Sequence, residues 1–209
     1  MLSAVLVSAM SIADAVHHGL TGRFLLDDET AAPAVTIAVS ALLAVTFALL
    51  AAVLREQAGR IDAGRRTVRW IRRAMQTVLV VLVVVFVGGP VVEGTADGSA
   101  LHRIIEALGG AGFALMFLVG VVLGAALLRR AQLRPAAALM AAPIVVIPLT
   151  LLIATFAPDW AHPAYAETAL YIGVALLGYR SSAQRDVEQA ERRRADHYRG
   201  EEQEKATAG

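Results

Sequence analysis

Apolar and ionisable residues separate along this chain into long blocks instead of alternating over short distances. Four segments of 19 to 24 residues contain no Asp, Glu, Lys, Arg or His: 33–54, 74–92, 107–128 and 135–158. An α-helix needs roughly 20 apolar residues to cross a hydrocarbon core of ~30 Å. The block pattern therefore predicts a membrane-spanning helix in each of these segments.

Two further apolar segments contain a few ionisable residues. The first carries Asp14, His17 and His18, and the last carries Glu167 near its start. With them, the chain is predicted to form an all-α, polytopic transmembrane bundle over residues 1–180. About six spans are expected, at 2–20, 33–54, 74–92, 104–128, 135–157 and 163–180. Residues 181–209 form a polar tail that we expect to be partly disordered.

The composition supports a membrane protein and excludes several kinds of chemistry. Hydrophobic residues make up 57% of the chain and charged residues only 18%, whereas a soluble domain carries about a quarter charged residues. The absence of cysteine excludes disulfides, thiol catalysis and Cys-ligated clusters. Arginine outnumbers lysine 18 to 1, which together with abundant Ala and Val indicates a prokaryotic, GC-rich genome.

The basic residues predict the orientation of the chain in the cytoplasmic membrane. The connections 55–73 and 129–134 and the tail hold 17 of the 19 Lys and Arg residues, and the alternate connections hold only Arg23 and Arg103. Basic loops remain on the cytoplasmic side of a membrane. Both termini are therefore expected in the cytoplasm.

The connection 55–73 is also a predicted membrane anchor. A tryptophan stands among arginines just before an apolar block, and this arrangement favours the interface with anionic lipid. The anchor residues are Arg69, Trp70, Arg72 and Arg73. Because the membrane already accounts for the positive charge, no nucleic-acid partner is expected.

Most of the other ionisable residues are predicted to gather at the outer face, where all three outward connections contribute. Several are spaced for one helix face: Asp14, His17 and His18 at i, i+3 and i+4, and His102 and Glu106 at i, i+4. The full candidate cluster is Asp14, His17, His18, Glu93, His102, Glu106, His162, Glu167 and Tyr171. We expect Asp14, one of the adjacent histidines and Glu167 to lie close together.

Three interpretations of this cluster remain open. The residues could simply anchor and cap helix ends at the interface. They could form a proton- or solute-linked site with Asp14 or Glu167 as the buried acid, because ionisable groups inside spans are costly and commonly functional. They could hold a divalent metal such as zinc, since imidazoles and carboxylates suit it, and no other cofactor is evident. The candidate metal ligands are His17, His18, His102 and His162.

The sequence favours a non-enzymatic membrane component: a solute or ion permeation protein, a substrate-binding subunit or an accessory subunit. The alternative is a metal-dependent, hydrolase-like membrane enzyme that uses the outer cluster, so enzymatic activity stays an open question. Gly120 and Gly124 form a small-xxx-small pair that permits close helix contact. That contact is expected within the bundle or with another copy or partner chain.

Overall fold

The computed structural model describes residues 1–24, 33–93 and 99–179. Of these residues 87% are helical and none is in a strand, so the all-α prediction is confirmed for this part of the chain. The predicted polar tail lies outside the described residues. The helices are α1 Leu2–Thr21, α2 Pro33–Glu56, α3 Ala58–Asp62, α4 Arg66–Glu93, α5 Ala100–Leu127, α6 Arg134–Ala141, α7 Pro143–Ala154 and α8 Ala164–Leu177.

Among the described residues, four helical stretches are long and apolar enough to cross a membrane, and each overlaps one of the four charge-free blocks. They are Ala34–Glu56, Arg66–Val92, Ala100–Leu127 and Ala131–Ala154. The last stretch combines a 3₁₀ turn with α6 and α7, which meet where Pro143 interrupts the helical hydrogen-bond ladder. The length and composition of these helices indicate a membrane-embedded protein.

Helices α1 and α8 occupy the first and last predicted spans but are not among these four stretches. Helix α8 has 14 residues, which is too short to cross a bilayer alone. It is nevertheless the most enclosed helix of the described chain, because none of its residues is exposed. It packs mainly against α1, α2, α6 and α7, while α2, α4, α5 and α6 pack against one another in chain order.

Glycines allow the helices around α6 to approach it closely. A Cβ atom added to Gly124 of α5 would lie 2.8 Å from the backbone oxygen of Ala137, and one added to Gly173 of α8 would lie 2.9 Å from the backbone nitrogen of Met140. Gly120 of α5 lies against the side chain of Leu170 on α8. The predicted glycine pair of α5 thus contacts helices of its own chain, and an oligomer through it stays a prediction.

A buried ion pair fixes the short helix α3 to the start of α4. Arg72 donates from Nε to Oδ1 of Asp62 at 2.8 Å and from Nη2 to Oδ2 at 3.0 Å. Its Nη1 donates to Oε1 of Gln76 at 2.7 Å. The hydrogen bond from Arg72 lowers the pKa of Asp62 below its ordinary value, although burial opposes this shift. Arg72 therefore stabilises the fold and is 5% exposed, away from the surface position predicted for it.

A second arginine ties the end of α5 to the same helix. Arg130 donates to the backbone oxygens of Arg60 and Ile61, which are among the last carbonyls of α3 and lack partners within so short a helix. We call Asp62, Arg72, Gln76 and Arg130 the arginine junction. It connects α3, α4 and α5 at one end of the bundle, so this end is held by charge-assisted hydrogen bonds.

The other predicted anchor residues lie at the surface. Trp70 is 62% exposed, and the Arg73 guanidinium lies 5.8 Å from the centre of its ring. The Arg69 side chain is half-exposed and lies 3.6 Å from the Asp62 carboxylate. An exposed indole beside a guanidinium is compatible with the interfacial anchor, which stays a prediction.

Candidate functional site

A cavity of about 480 Å³ lies at the end of the bundle opposite the arginine junction, between α1, α2 and α8. Its polar lining consists of two carboxylates, an imidazole and three hydroxyls: Asp14, Glu167, His162, Ser11, Thr36 and Ser40. The rest of the lining is apolar. We call this space the carboxylate cavity. Two carboxylates in a largely apolar enclosure lose much of their hydration, which makes such positions candidates for function.

Close packing of α1 against the segment before α8 brings these residues together. Gly19 of α1 lies flat against the indole of Trp160, and a Cβ atom added there would lie 2.5 Å from a ring carbon. One residue earlier, Nδ1 of His18 donates to the backbone oxygen of Asp159 at 2.6 Å. The 3₁₀ turn Pro158–Trp160 is therefore fixed to α1, and His162 is carried to the side of Asp14.

The hydrogen bonds of His162 determine which ring nitrogen carries its proton. Nδ1 accepts the backbone N–H of Ala164 at 3.1 Å, so Nδ1 is unprotonated. The proton of the neutral ring is then on Nε2, which lies 3.6 Å from Oδ2 of Asp14. That distance is slightly too long for a direct hydrogen bond. A small displacement of either side chain would complete or break the contact.

Burial is the largest influence on the pKa of His162 and lowers it below its ordinary value. The Asp14 carboxylate opposes this shift, and nearby His18 adds to it. A neutral ring also suits the Ala164 N–H, which would be repelled by a proton on Nδ1. These influences favour the neutral ring of His162, with its Nε2 proton on the side of Asp14.

Glu167 reaches the carboxylate cavity from the first turn of α8. The positive end of the helix dipole favours a carboxylate at this position. The hydroxyl of Tyr171, one turn further along, lies 3.5 Å from Oε2 of Glu167. Tyr171 itself is 1% exposed, so the carboxylate connects the cavity with the buried centre of the bundle.

Aromatic side chains close the inner end of the cavity. Phe86 and Phe113 line it, and both rings contact Phe47, at 5.6 Å and 6.1 Å between centroids. Phe47 also meets Tyr171 edge to face at 5.6 Å. We call these four rings the aromatic floor. Its three phenylalanines could not be recognised from the sequence, because each comes from a different apolar block and no spacing links them.

The other predicted site residues lie apart from the cavity lining. Nδ1 of His17 pairs with the backbone oxygen of Arg23 at 2.9 Å. His102 and Glu106 form their own pair on α5, with 3.2 Å between Nε2 and Oε1. The side chain of Glu93 lies outside what the structure describes. Of the predicted cluster, the structure thus brings together Asp14, His162, Glu167 and Tyr171, with His18 at the edge.

The described residues offer no ligand set for a metal ion. No group of three or more His, Asp or Glu side chains within 1–24, 33–93 and 99–179 has the arrangement to hold one. The rings of His18 and His162 are 6.2 Å apart, but Nδ1 of each is occupied by a backbone group. Hydrogen bonding explains the position of both rings without a metal.

Comparison with known proteins yields no relative. No family model, no curated protein and no solved structure matches the chain. The fold and the site therefore define only a class of protein, a membrane-embedded helical protein with a carboxylate-lined cavity. Its activity has to be inferred from the chemistry of that cavity.

Proposed function

We propose that the protein is a non-enzymatic component of the cytoplasmic membrane that binds a small cation, in exchange for protons, in the carboxylate cavity. In this proposal the chain has six spans, with α1 and α8 completing the four long stretches, and both termini are in the cytoplasm. The concentration of 17 of the 19 basic residues in alternate connections supports this orientation. The cavity then opens to the outer side.

The observation that carries the proposal is the meeting of Asp14 and Glu167, from different helices, in one cavity. A proton or a bound cation stabilises carboxylates in an apolar enclosure. The three hydroxyls of the lining can supply further oxygen ligands. Oxygen ligands and net negative charge suit an alkali cation or a small ammonium compound.

The neutral ring of His162 would orient the Asp14 carboxylate without cancelling its charge. Its Nε2–H can donate one hydrogen bond to Asp14, while its Nδ1 stays bound to the Ala164 N–H. A charged lysine or arginine at that place would compete with a bound cation. This arrangement favours a binding site over a permanent ion pair.

Buried hydroxyls along the same three helices support a permeation role over simple binding. Among the described residues, Oγ of Ser8 in α1 and Oγ1 of Thr46 in α2 and of Thr168 in α8 have no hydrogen-bond partner. Each lies deeper along its helix than the cavity residues of that helix. An unpaired buried hydroxyl costs about 1–3 kcal/mol, which water or a passing solute would offset. Passage beyond the cavity would require the aromatic floor to open.

Cation-dependent stability of the purified protein tests the proposal. In nanodiscs, the thermal midpoint would be measured with Na⁺, K⁺ or methylammonium at constant ionic strength, against N-methylglucamine as an inert reference, at pH 5 and pH 8. A cation at 100 times its Kd should stabilise by about 2.7 kcal/mol. Because protons compete for the carboxylates, the effect should be larger at pH 8.

Matched carboxylate variants locate the effect. Asp14→Asn and Glu167→Gln should each abolish the stabilisation, whereas Glu106→Gln, an exposed acid on α5, should leave it unchanged. The proposal fails if no cation and no pH change acts on the wild type, or if all three variants behave alike.

A further inference from the structure

A second cavity, of about 590 Å³, lies beside the arginine junction and has the opposite charge. It opens between residues 65–68, at the N-terminus of α4, and the C-terminal end of α5, where Ala125, Ala126 and, just beyond the helix, Arg129 line it. The two alanines are small enough to leave space between the helices. We call this cavity the basic pocket, and it contributes nothing to the function proposed above.

Three arginines of the basic pocket have no acidic partner within the described residues. They are Arg65, Arg66 and Arg129, and no described carboxylate forms an ion pair with any of them. The nearest acid in sequence, Asp62, is already bound by Arg72. Like charges that face one space repel each other, so an anion in the pocket would lower the electrostatic energy.

Backbone and hydroxyl donors at the same place add to this attraction for an anion. The first helical hydrogen bond of α4 runs from the Arg69 nitrogen to the Arg65 oxygen. The N–H groups of residues 66–68 therefore have no helical acceptor, and they carry the positive end of a 28-residue helix dipole. The exposed Thr67 hydroxyl stands beside them. Guanidinium groups together with such donors match the oxygens of a phosphate group.

The surroundings of the pocket indicate what would carry the phosphate. Exposed Trp70 stacks with Arg73 one turn along α4, as expected at the level of lipid headgroups. Further along α5, towards the bundle centre, Leu118 and Val122 are exposed apolar residues that acyl chains can cover. The phosphate groups of anionic lipids around this end of the bundle therefore lie within reach of the basic pocket.

We infer that the basic pocket binds the phosphate group of an anionic phospholipid through Arg65, Arg66 and Arg129. The site is distinct from a diffuse basic surface, because it has a defined cavity and donors from two helices. It also differs from the arginine junction, whose guanidinium groups are occupied by the protein itself. Inorganic phosphate shares the same chemistry, and the experiment separates the two sources.

Lipid retention by the full-length chain tests the inference. Native mass spectrometry would compare the retention of phosphatidylglycerol and phosphatidylcholine by the wild type and by R66Q/R129Q. Two headgroup-level arginines contribute about 1 kcal/mol each, so their loss should weaken phosphatidylglycerol binding roughly 30-fold. Phosphatidylcholine retention should not change. The matched control is R55Q/R134Q, which removes two exposed arginines at the same end of the bundle but outside the pocket.

Two further measurements identify the source of the phosphate and show whether the variants still fold. R66K/R129K keeps the charge and should retain most phosphatidylglycerol binding, which shows that the pair tolerates substitution. Inorganic phosphate that stabilises the wild type but not R66Q/R129Q, without a lipid preference, would keep the site and assign it a soluble ligand. Equal losses in the two glutamine pairs, or no phosphate-bearing ligand bound by the wild type, would overturn the inference.

Discussion

Each end of the helical bundle pairs a buried aspartate with a nitrogen-bearing side chain, but the two pairs differ in how closely they are joined. At the arginine junction, Arg72 contacts both oxygens of Asp62 within 3.0 Å and uses its remaining nitrogen on Gln76. At the carboxylate cavity, His162 stops 3.6 Å from Asp14, and both face a space of about 480 Å³. The first arrangement leaves no room for a ligand, and the second places its acids beside a space that a ligand can enter.

This difference separates a structural role from a binding role more reliably than residue type does. A buried acid that is fully hydrogen-bonded has its charge compensated by the protein, so adding a ligand would gain little. A buried acid next to a void has space beside it that a proton or a cation can enter. The same reasoning distinguishes the occupied guanidinium groups of the junction from those of the basic pocket.

The largest expected effect is the loss of the buried ion pair. Arg72→Gln should lower the free energy of unfolding by about 3–5 kcal/mol, because it leaves Asp62 without its bidentate partner. Arg69→Gln removes an exposed contact to the same acid and should cost less than about 1 kcal/mol. Denaturant titration in micelles measures both. If the two variants lowered the free energy of unfolding equally, the buried Arg72–Asp62 pair would stabilise the protein no more than a surface ion pair does.

A steric substitution at the other end should have the next largest effect. Gly19→Ala places a methyl group 2.5 Å from the Trp160 ring, so the turn that carries His162 must shift. We expect a cost of about 1–3 kcal/mol and a loss of the cation-dependent stabilisation. Gly110→Ala, where no atom lies within 4 Å of the added carbon, serves as the control. Retained cation binding in Gly19→Ala would show that this packing does not position the cavity.

The two ends should respond to acid in different pH ranges. The folded-state pKa of His162 lies below its ordinary value of 6.5, so the unfolded chain binds this proton more tightly. Its contribution to unfolding free energy therefore falls as the pH drops below about 6.5, by up to about 1.4 kcal/mol per pH unit. Between pH 7 and 5, the wild type should lose more stability than His162→Gln.

The contribution of Asp62 depends on pH in the same direction but over a lower range. Its pKa is lowered from 3.8, so the stabilisation from the ion pair is complete above that value and is lost only as the pH falls further. The stability difference between wild type and Arg72→Gln should therefore stay constant from pH 7 to 5. A pH-dependent difference in that range would mean that the pair titrates with the cavity.

The smallest expected effect concerns the hydroxyl between the cavity and the aromatic floor. The Tyr171 hydroxyl lies 3.5 Å from Glu167, at the outer limit for a hydrogen bond. Tyr171→Phe should cost no more than about 1 kcal/mol of stability while weakening the effect of cations. Tyr165→Phe, on the same helix, is the control because its hydroxyl has no described hydrogen-bond partner. A cost of several kcal/mol would make this hydroxyl a structural element like the junction.

The sequence alone determined which segments form the long apolar helices. The absence of charge over about 20 residues is a local property, because each ionised group has its own cost of entering a bilayer. For the same reason, the sequence located the candidate acids Asp14 and Glu167 within apolar segments. The helix ends observed at Glu56, Glu93 and Leu127 lie within two residues of the predicted span ends.

Only the tertiary structure decided which faces of these helices meet. An apolar span presents similar side chains all around, so no period in the sequence identifies the face that turns inward. The aromatic floor, the enclosure of α8 and the choice of His162 over His17 all depend on that rotation. The burial of Arg72 depends on it as well, because the sequence shows an arginine near a tryptophan but not the carboxylate that the turn after α3 brings to it.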